Sequence, residues 1–262
     1  MIREDVAVVV GCGTVGLGIA YVLGTRGYVV EVVEPDVARQ AEMLTRLGQL
    51  RTAAIERGSL DLESAARLES SISIVSDLDD VQAGPSVLIE AVPERRDLKQ
   101  SVLARAERLE PGLLGTNTSS ISIDSLADGL RHPQSLIGLH FFNPVWVSSL
   151  VEIVVGDRTA PDVESAARRL VDRIGKQAVV VRDRPGFATS RLGVLLGLEA
   201  IRMIEEGVAD AAAIDLAMEL GYRHPMGPLR LTDLVGLDVR LAIAENLESA
   251  YGSRFAPPDL LR

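Results

Sequence analysis

Residues 5–20 read DVAVVVGCGTVGLGIA, and this stretch decides the fold. Asp5–Val10 is a short β-branched run, the pattern of a strand buried on both faces. It flows into Gly11-Cys12-Gly13-Thr14-Val15-Gly16, followed by an apolar segment at Ala20–Leu23 with helical character. Tyr28–Val33 (YVVEVV) repeats the strand pattern and ends at Glu34, with Pro35 behind it. A strand, a G-x-G-x-x-G turn, a helix and an acid closing the next strand together give the full context of a dinucleotide phosphate site. In that context Gly11 permits the tight turn and Gly13 lets backbone approach a pyrophosphate. Gly16 lets the helix pack on the strand. The helix N-terminus, through Thr14 and Val15, offers N–H groups and a partial positive charge to the phosphates. Glu34 is placed to accept from both ribose hydroxyls and to repel a 2′-phosphate, and the nearest arginine is Arg39. The expected cofactor is therefore NAD rather than NADP.

Outward from this unit, strands keep alternating with helices. Helices are predicted over 36–57 and 60–69, strands at Ser71–Val75 and Ser86–Ala91, and a helix at Leu98–Leu109 stopped by Pro111-Gly112. Strands follow at Leu113–Thr116, Leu136–His140 and Leu150–Val155, then a helix over Asp162–Ile174 and a strand at Gln177–Val181. This alternation predicts an α/β fold with a doubly wound, mostly parallel sheet. The character changes at Asp183-Arg184-Pro185-Gly186. Beyond it only helical patterns occur, over 187–206, 210–220 and 229–251. Two domains follow: residues 1–183, and an all-helical C-terminal domain at 184–262.

With 47% apolar and 24% charged residues, the 262-residue chain has the composition of a folded globular protein. Its formal net charge of −10 argues against a nucleic-acid partner, which needs a basic surface. Cys12 is the single cysteine, so no disulfide framework is possible and a reducing, cytoplasmic setting is expected. A small residue in a tight turn is the plainer account of Cys12 than a reactive thiol. No cationic-then-apolar leader and no apolar run long enough for a membrane is seen, so neither export nor a membrane partner is expected. His132, His140 and His224 show no spacing with cysteines or acids that reads as a metal site.

The chemistry concentrates at residues 117–152, NTSSISIDSLADGLRHPQSLIGLHFFNPVWVSSLVE. Small hydroxyl residues lead to His140 ahead of a Phe-Phe-Asn-Pro turn, and Glu152 stands twelve positions further on. A carboxylate accepting from one imidazole nitrogen fixes the tautomer and leaves the other nitrogen basic. Most such pairs in a sequence never meet, so the types alone do not make a site.

The chain resembles the 3-hydroxyacyl-CoA dehydrogenase family, in plan the single-function 3-hydroxybutyryl-CoA dehydrogenases. The resemblance is carried by GCGTVGLGIA, Glu34, IEAVPE (Ile89–Glu94) with Lys99 after it, and NTSS (Asn117–Ser120). It continues in HFFNPV (His140–Val145), LVEIV (Leu150–Val154), RPGF (Arg184–Phe187) and HPMGPLRLTDLVGLD (His224–Asp238). It implies a Rossmann-type NAD-binding domain and a helical domain that dimerises. The substrate would be an acyl-CoA thioester, oxidised at its 3-hydroxyl. Carried over by position, His140 would be the general base and Glu152 its orienter. Ser119 would hydrogen-bond the substrate oxygen, and Asn143 would support the site. Glu94, Lys99 and Asn117 match positions near the cofactor and acyl carrier.

Two departures from the family pattern stand out. Family members carry an asparagine before the arginine that follows Pro-Gly-Phe; here Ser190 takes its place ahead of Arg191. Family members also continue past a Pro-Pro-x-Leu segment into a glycine-rich tail, where this sequence ends at Arg262. The serine keeps a second substrate open, a 3-hydroxyacyl group on an acyl-carrier protein as in polyketide extender-unit assembly. A non-catalytic NAD-binding paralogue is the third reading. The 3-hydroxyisobutyrate and 6-phosphogluconate type dehydrogenases share the plan but use a lysine in the second domain, and no lysine follows Lys176.

Overall fold

The strand β1 (Val6–Val10) is buried along almost its whole length and forms the centre of the fold in this computed structural model, which describes residues 5–262. On one side β1 pairs in parallel with β2 (Val29–Val33), which pairs with β3 (Ile72–Val75). On the other side come β4 (Val87–Glu90), β5 (Leu114–Thr116) and β6 (Leu136–Phe141), all parallel. The sheet is completed by β7 (Leu150–Val155) and β8 (Gln177–Arg182), in the order β3-β2-β1-β4-β5-β6-β7-β8. Strand order reverses between β1 and β4, which opens a crevice at the carboxyl ends of the strands. Only the β6–β7 pair is antiparallel, because an eight-residue turn over 142–149 joins the strands and no crossover helix intervenes.

Helix α1 (Thr14–Thr25) is buried on every residue from Gly16 to Gly24, so it is apolar all round and has no solvent face. Gly11 sits at φ +103°, and a Cβ there would lie 2.8 Å from the Ala91 carbonyl oxygen. A Cβ on Gly16 would run into the Gly11 carbonyl, whereas one on Gly13 would meet nothing within 4 Å. The turn is thus closed toward the protein at two glycines and open toward the crevice at the third. Around the sheet lie α2 (Val37–Glu56), α3 (Leu62–Ser71), α4 (Arg96–Ala106) and α6 (Pro161–Arg173). Asp36 caps α2 by accepting from the Ala38 and Arg39 amides, and Pro161 opens α6 at its first turn.

Two features differ from the sequence reading. A five-residue helix, α5 (Ile123–Ala127), links β5 to β6; it is too short to show a helical period. It is held by Ser122, whose side chain caps it and donates to Asp183 Oδ2 at 2.7 Å. In addition, the helix predicted over 229–251 is two helices, α9 (Pro228–Val235) and α10 (Leu237–Tyr251). Gly236 divides them at φ +99°, a backbone state that no helix continues through.

The chain divides into two compact units, Met1–Asp183 and Arg184–Arg262. The second is all-helical: α7 (Thr189–Glu205), α8 (Ala211–Gly221), α9 and α10 surround a core that includes Val194, Leu198, Ile214, Ala244, Leu247 and Phe255. Several large apolar side chains of this unit stay exposed, Leu192, Leu220 and Leu234 among them. No helix among the described residues is long and apolar enough to cross a membrane.

Candidate active site

A cavity of about 850 Å³ lies over the carboxyl ends of the central strands of the first unit. The glycine turn forms one wall through Gly11, Gly13, Thr14 and Val15, and Glu34 marks the end of β2. Glu34 is buried, and its carboxylate accepts from the Cys12 and Asp36 amides at 3.4 and 3.2 Å. Those two bonds hold it facing the cleft. The open face at Gly13, the N-terminus of α1 and this fixed acid suit the pyrophosphate and ribose of NAD. Cys12 is buried inside the turn, and its thiol is pushed up to about 12, first by burial and then by the Glu34 carboxylate beside it.

The opposite wall carries His140, Phe142 and Asn143. His140 is the fifth residue of β6 and pairs in register with Glu152 on β7. Both side chains therefore leave the same face of the sheet, and Nδ1 of His140 lies 2.8 Å from Oε2 of Glu152. Glu152 is fully buried and His140 is 7% exposed, so the carboxylate is inside and the ring is the part that reaches the cavity. With Nδ1–H donated to Glu152, the lone pair of the neutral ring sits on Nε2. Phe142 packs against the imidazole, with ring centroids 4.4 Å apart.

Between the walls the hydroxyl run converges on Glu94. Thr118 Oγ1 donates to Glu94 Oε1 at 2.7 Å, and the amides of Ser119 and Ser120 donate at 2.9 Å. The Ser120 and Ser119 hydroxyls lie 3.0 and 3.2 Å from the same oxygen. Burial would raise the Glu94 carboxyl, but the Lys99 ammonium and these hydrogen bonds hold it below the usual glutamate range. Asn117 braces the neighbouring strand, its Oδ1 accepting from the Phe141 amide at 2.9 Å.

The cavity thus brings together Gly11, Gly13, Thr14, Val15, Glu34, Glu94, Asn117, Ser119, His140 and Asn143. Glu152 and Gly16 stand behind its walls. Lys99 is only 1% exposed, and its ammonium is spent on Glu90 at 2.8 Å, the Val92 carbonyl at 3.1 Å and Glu94 at 3.4 Å. Ser190 lies in the other unit, in the first turn of α7. Sequence reasoning passed over Glu90 and Thr116, whose side chains bond each other at 2.6 Å in the buried floor. An acid within the apolar run SVLIEA was the signal for Glu90. Among the described residues no group of three or more His, Cys, Asp or Glu could hold a metal ion.

A nucleotide cleft with a carboxylate-held histidine on its wall is the architecture of a nicotinamide-dependent dehydrogenase. Residues 6–184 match the 3-hydroxyacyl-CoA dehydrogenase NAD binding domain, and residues 186–262 match the C-terminal domain of the same family. The chain belongs to the 3-hydroxyacyl-CoA dehydrogenase family. It is an NAD-dependent oxidoreductase acting on CH–OH groups. It is 39% identical over 261 residues to the 3-hydroxybutyryl-CoA dehydrogenase of Mycobacterium tuberculosis H37Rv, covering 97% of this chain and 90% of that one. The probable 3-hydroxybutyryl-CoA dehydrogenase of Bacillus subtilis is 37% identical over 259 residues, with 97% and 89% covered. Among solved structures, the (S)-3-hydroxybutyryl-CoA dehydrogenase of Ralstonia eutropha superposes with a TM-score of 0.94 at 33% identity, covering 99% of this chain and 93% of that one.

Proposed function

We propose that the protein interconverts the 3-hydroxyl and 3-oxo forms of a 3-hydroxyacyl-CoA thioester such as 3-hydroxybutyryl-CoA, with His140 as the general base. The observation that carries this reading is the His140–Glu152 pair on the wall of the same cavity that the glycine turn and Glu34 line. NAD, held by the glycine turn and Glu34, supplies the hydride acceptor. His140 Nε2 takes the hydroxyl proton, and Glu152 stabilises the resulting imidazolium without leaving its place. The Ser119 hydroxyl turns from Glu94 to hydrogen-bond the substrate oxygen, while Asn143 borders the reacting centre. In the reverse direction the imidazolium returns the proton to the 3-oxo oxygen.

The activities named for the relatives support coenzyme A as the carrier. Ser190, where the family pattern has asparagine, favours keeping the acyl-carrier-protein thioester as a second reading. The exposed leucines of the helical unit support a homodimer through that unit, and the single buried cysteine suits a cytoplasmic setting. The test is NADH formation with 3-hydroxybutyryl-CoA beside a 3-hydroxyacyl group loaded on a carrier protein, each repeated with His140→Ala. Turnover of the coenzyme A substrate that is lost in His140→Ala is the expected result. Turnover of the carrier-protein substrate alone would select the second reading. If neither thioester turns over, the proposed substrate assignment falls and the reading as a non-catalytic NAD-binding paralogue gains.

A further inference from the structure

We propose that Glu90 is a positioning residue of this dehydrogenase site, acting through Lys99 and Glu94 on the hydroxyl loop at residues 118–120; the inference rests on the proposed function. Glu90 ends β4 and is fully buried. Its Oε1 takes the Lys99 ammonium at 2.8 Å and the Val92 amide at 2.7 Å, while Oε2 takes the Thr116 hydroxyl at 2.6 Å. All three of these donors belong to the protein interior, and neither Glu90 nor Lys99 lines the cavity.

A buried ion pair is a poor device for stability, since its desolvation cost rivals its Coulombic gain and apolar replacements are often as good. What this pair does is fix a cation at a point. Lys99 Nζ, anchored by Glu90 and the Val92 carbonyl, stands 3.4 Å from Glu94 Oε2. That cation keeps Glu94 charged, and Glu94 gathers the loop. Five donors from Thr118, Ser119 and Ser120 lie between 2.7 and 3.2 Å of Oε1. One carboxylate oxygen has two lone pairs, so it cannot satisfy all five at once. The Ser119 hydroxyl is the most distant at 3.2 Å, so it can turn to a substrate oxygen while the amides hold the loop. The line of dependence runs Thr116, Glu90, Lys99, Glu94, Ser119.

The test compares wild type with Glu90→Gln, Lys99→Met, the double variant, and Glu94→Gln. The readouts are kcat for 3-hydroxybutyryl-CoA in both directions and NAD binding by fluorescence. Glu90→Gln and Lys99→Met should each lower kcat on the order of tenfold, as displaced positioning groups do, with NAD affinity unchanged. Adding Glu90→Gln to Lys99→Met should bring no further loss, because Glu90 works through the lysine. In Lys99→Met the 3-oxo reduction should gain an acid limb as Glu94, without its cation, protonates more readily. A structural role alone would not move that limb.

An unchanged kcat in Glu90→Gln overturns the proposal. So does full additivity in the double variant, or a loss of NAD affinity in Lys99→Met that matches the fall in kcat. If a single variant fails to fold, the double variant removes both buried charges and Glu94→Gln leaves the pair intact. The double variant must then show the kcat loss with NAD binding kept, and Glu94→Gln must show a kcat loss of its own. Wild-type turnover separates the two failures: without it the proposed function falls, and with it only the role of Glu90 is at stake.

Discussion

His140 and Glu152 face each other across the one antiparallel pairing in the sheet, with Nδ1 2.8 Å from Oε2. The sequence separation of twelve, across the turn over 142–149, brings the two side chains to the same register and face. The acid is sealed in, so it cannot exchange its role with solvent. Replacing the base by His140→Ala should lower turnover by about two to four decades while NAD binding survives, the usual range for a lost general base. Glu152→Gln keeps the shape but allows the wrong tautomer, and it should also lower turnover by more than about tenfold. Steady-state rates paired with NAD titration check both. Unchanged turnover in His140→Ala would remove the histidine from the mechanism.

Glu34 is held by the Cys12 and Asp36 amides, so its carboxylate cannot swing aside for a 2′-phosphate. Glu34→Ala should therefore weaken NAD binding and narrow the gap between NAD and NADP, with Arg39 a cation on the same rim. The ratio of kcat/KM values for the two cofactors reads this directly. A native preference for NADP would refute the role given to this acid.

Most of the strands were legible because a strand buried on both faces has to be an apolar, β-branched run, while β3 showed itself by alternation and β8 is only partly buried. Helix α5 was not, since five residues show less than two turns of period. Gly236 was passed over because a single glycine in a helical pattern is tolerated as often as it breaks one; its φ of +99° depends on tertiary packing. In the site, the residue types were legible but their directions were not. The resemblance puts Lys99 near the cofactor and acyl carrier, but in the fold its ammonium turns inward to Glu90. Glu90 itself looked like one polar position in a strand, because nothing in a linear pattern says which buried acid has a cation beneath it.

Cys12 sits in the phosphate turn, where an exposed low-pKa thiol would be a natural target for oxidants. Its environment does the opposite. Burial, then the hydrogen bond and charge of Glu34, push the thiol up to about 12. A raised pKa means that the thiolate, the reactive form, is scarce at neutral pH. A thiol-reactive disulfide reagent at about pH 8 should leave the folded protein unlabelled and react with one equivalent after denaturation. Raising the pH toward the shifted value should increase labelling only as the fold opens. Fast labelling of the native protein at neutral pH would show that the turn exposes its sulfur.

Ser190 lies in the first turn of α7, where the family pattern has an asparagine just before an arginine, here Arg191. Serine can donate a hydrogen bond but reaches about one heavy atom less far. Loss of one preorganised donor costs about 2–4 kcal/mol of transition-state stabilisation when nothing replaces it. If coenzyme A thioesters of short 3-hydroxy acids are imperfect substrates because of that gap, Ser190→Asn should raise kcat/KM on 3-hydroxybutyryl-CoA. If serine is matched to the native acyl group, the same change should lower kcat/KM on that group while helping the short substrate. Measuring both substrates with both variants separates the cases. A clear fall on 3-hydroxybutyryl-CoA would mean that the serine is tuned to such substrates, and it would remove the main reason for looking beyond coenzyme A.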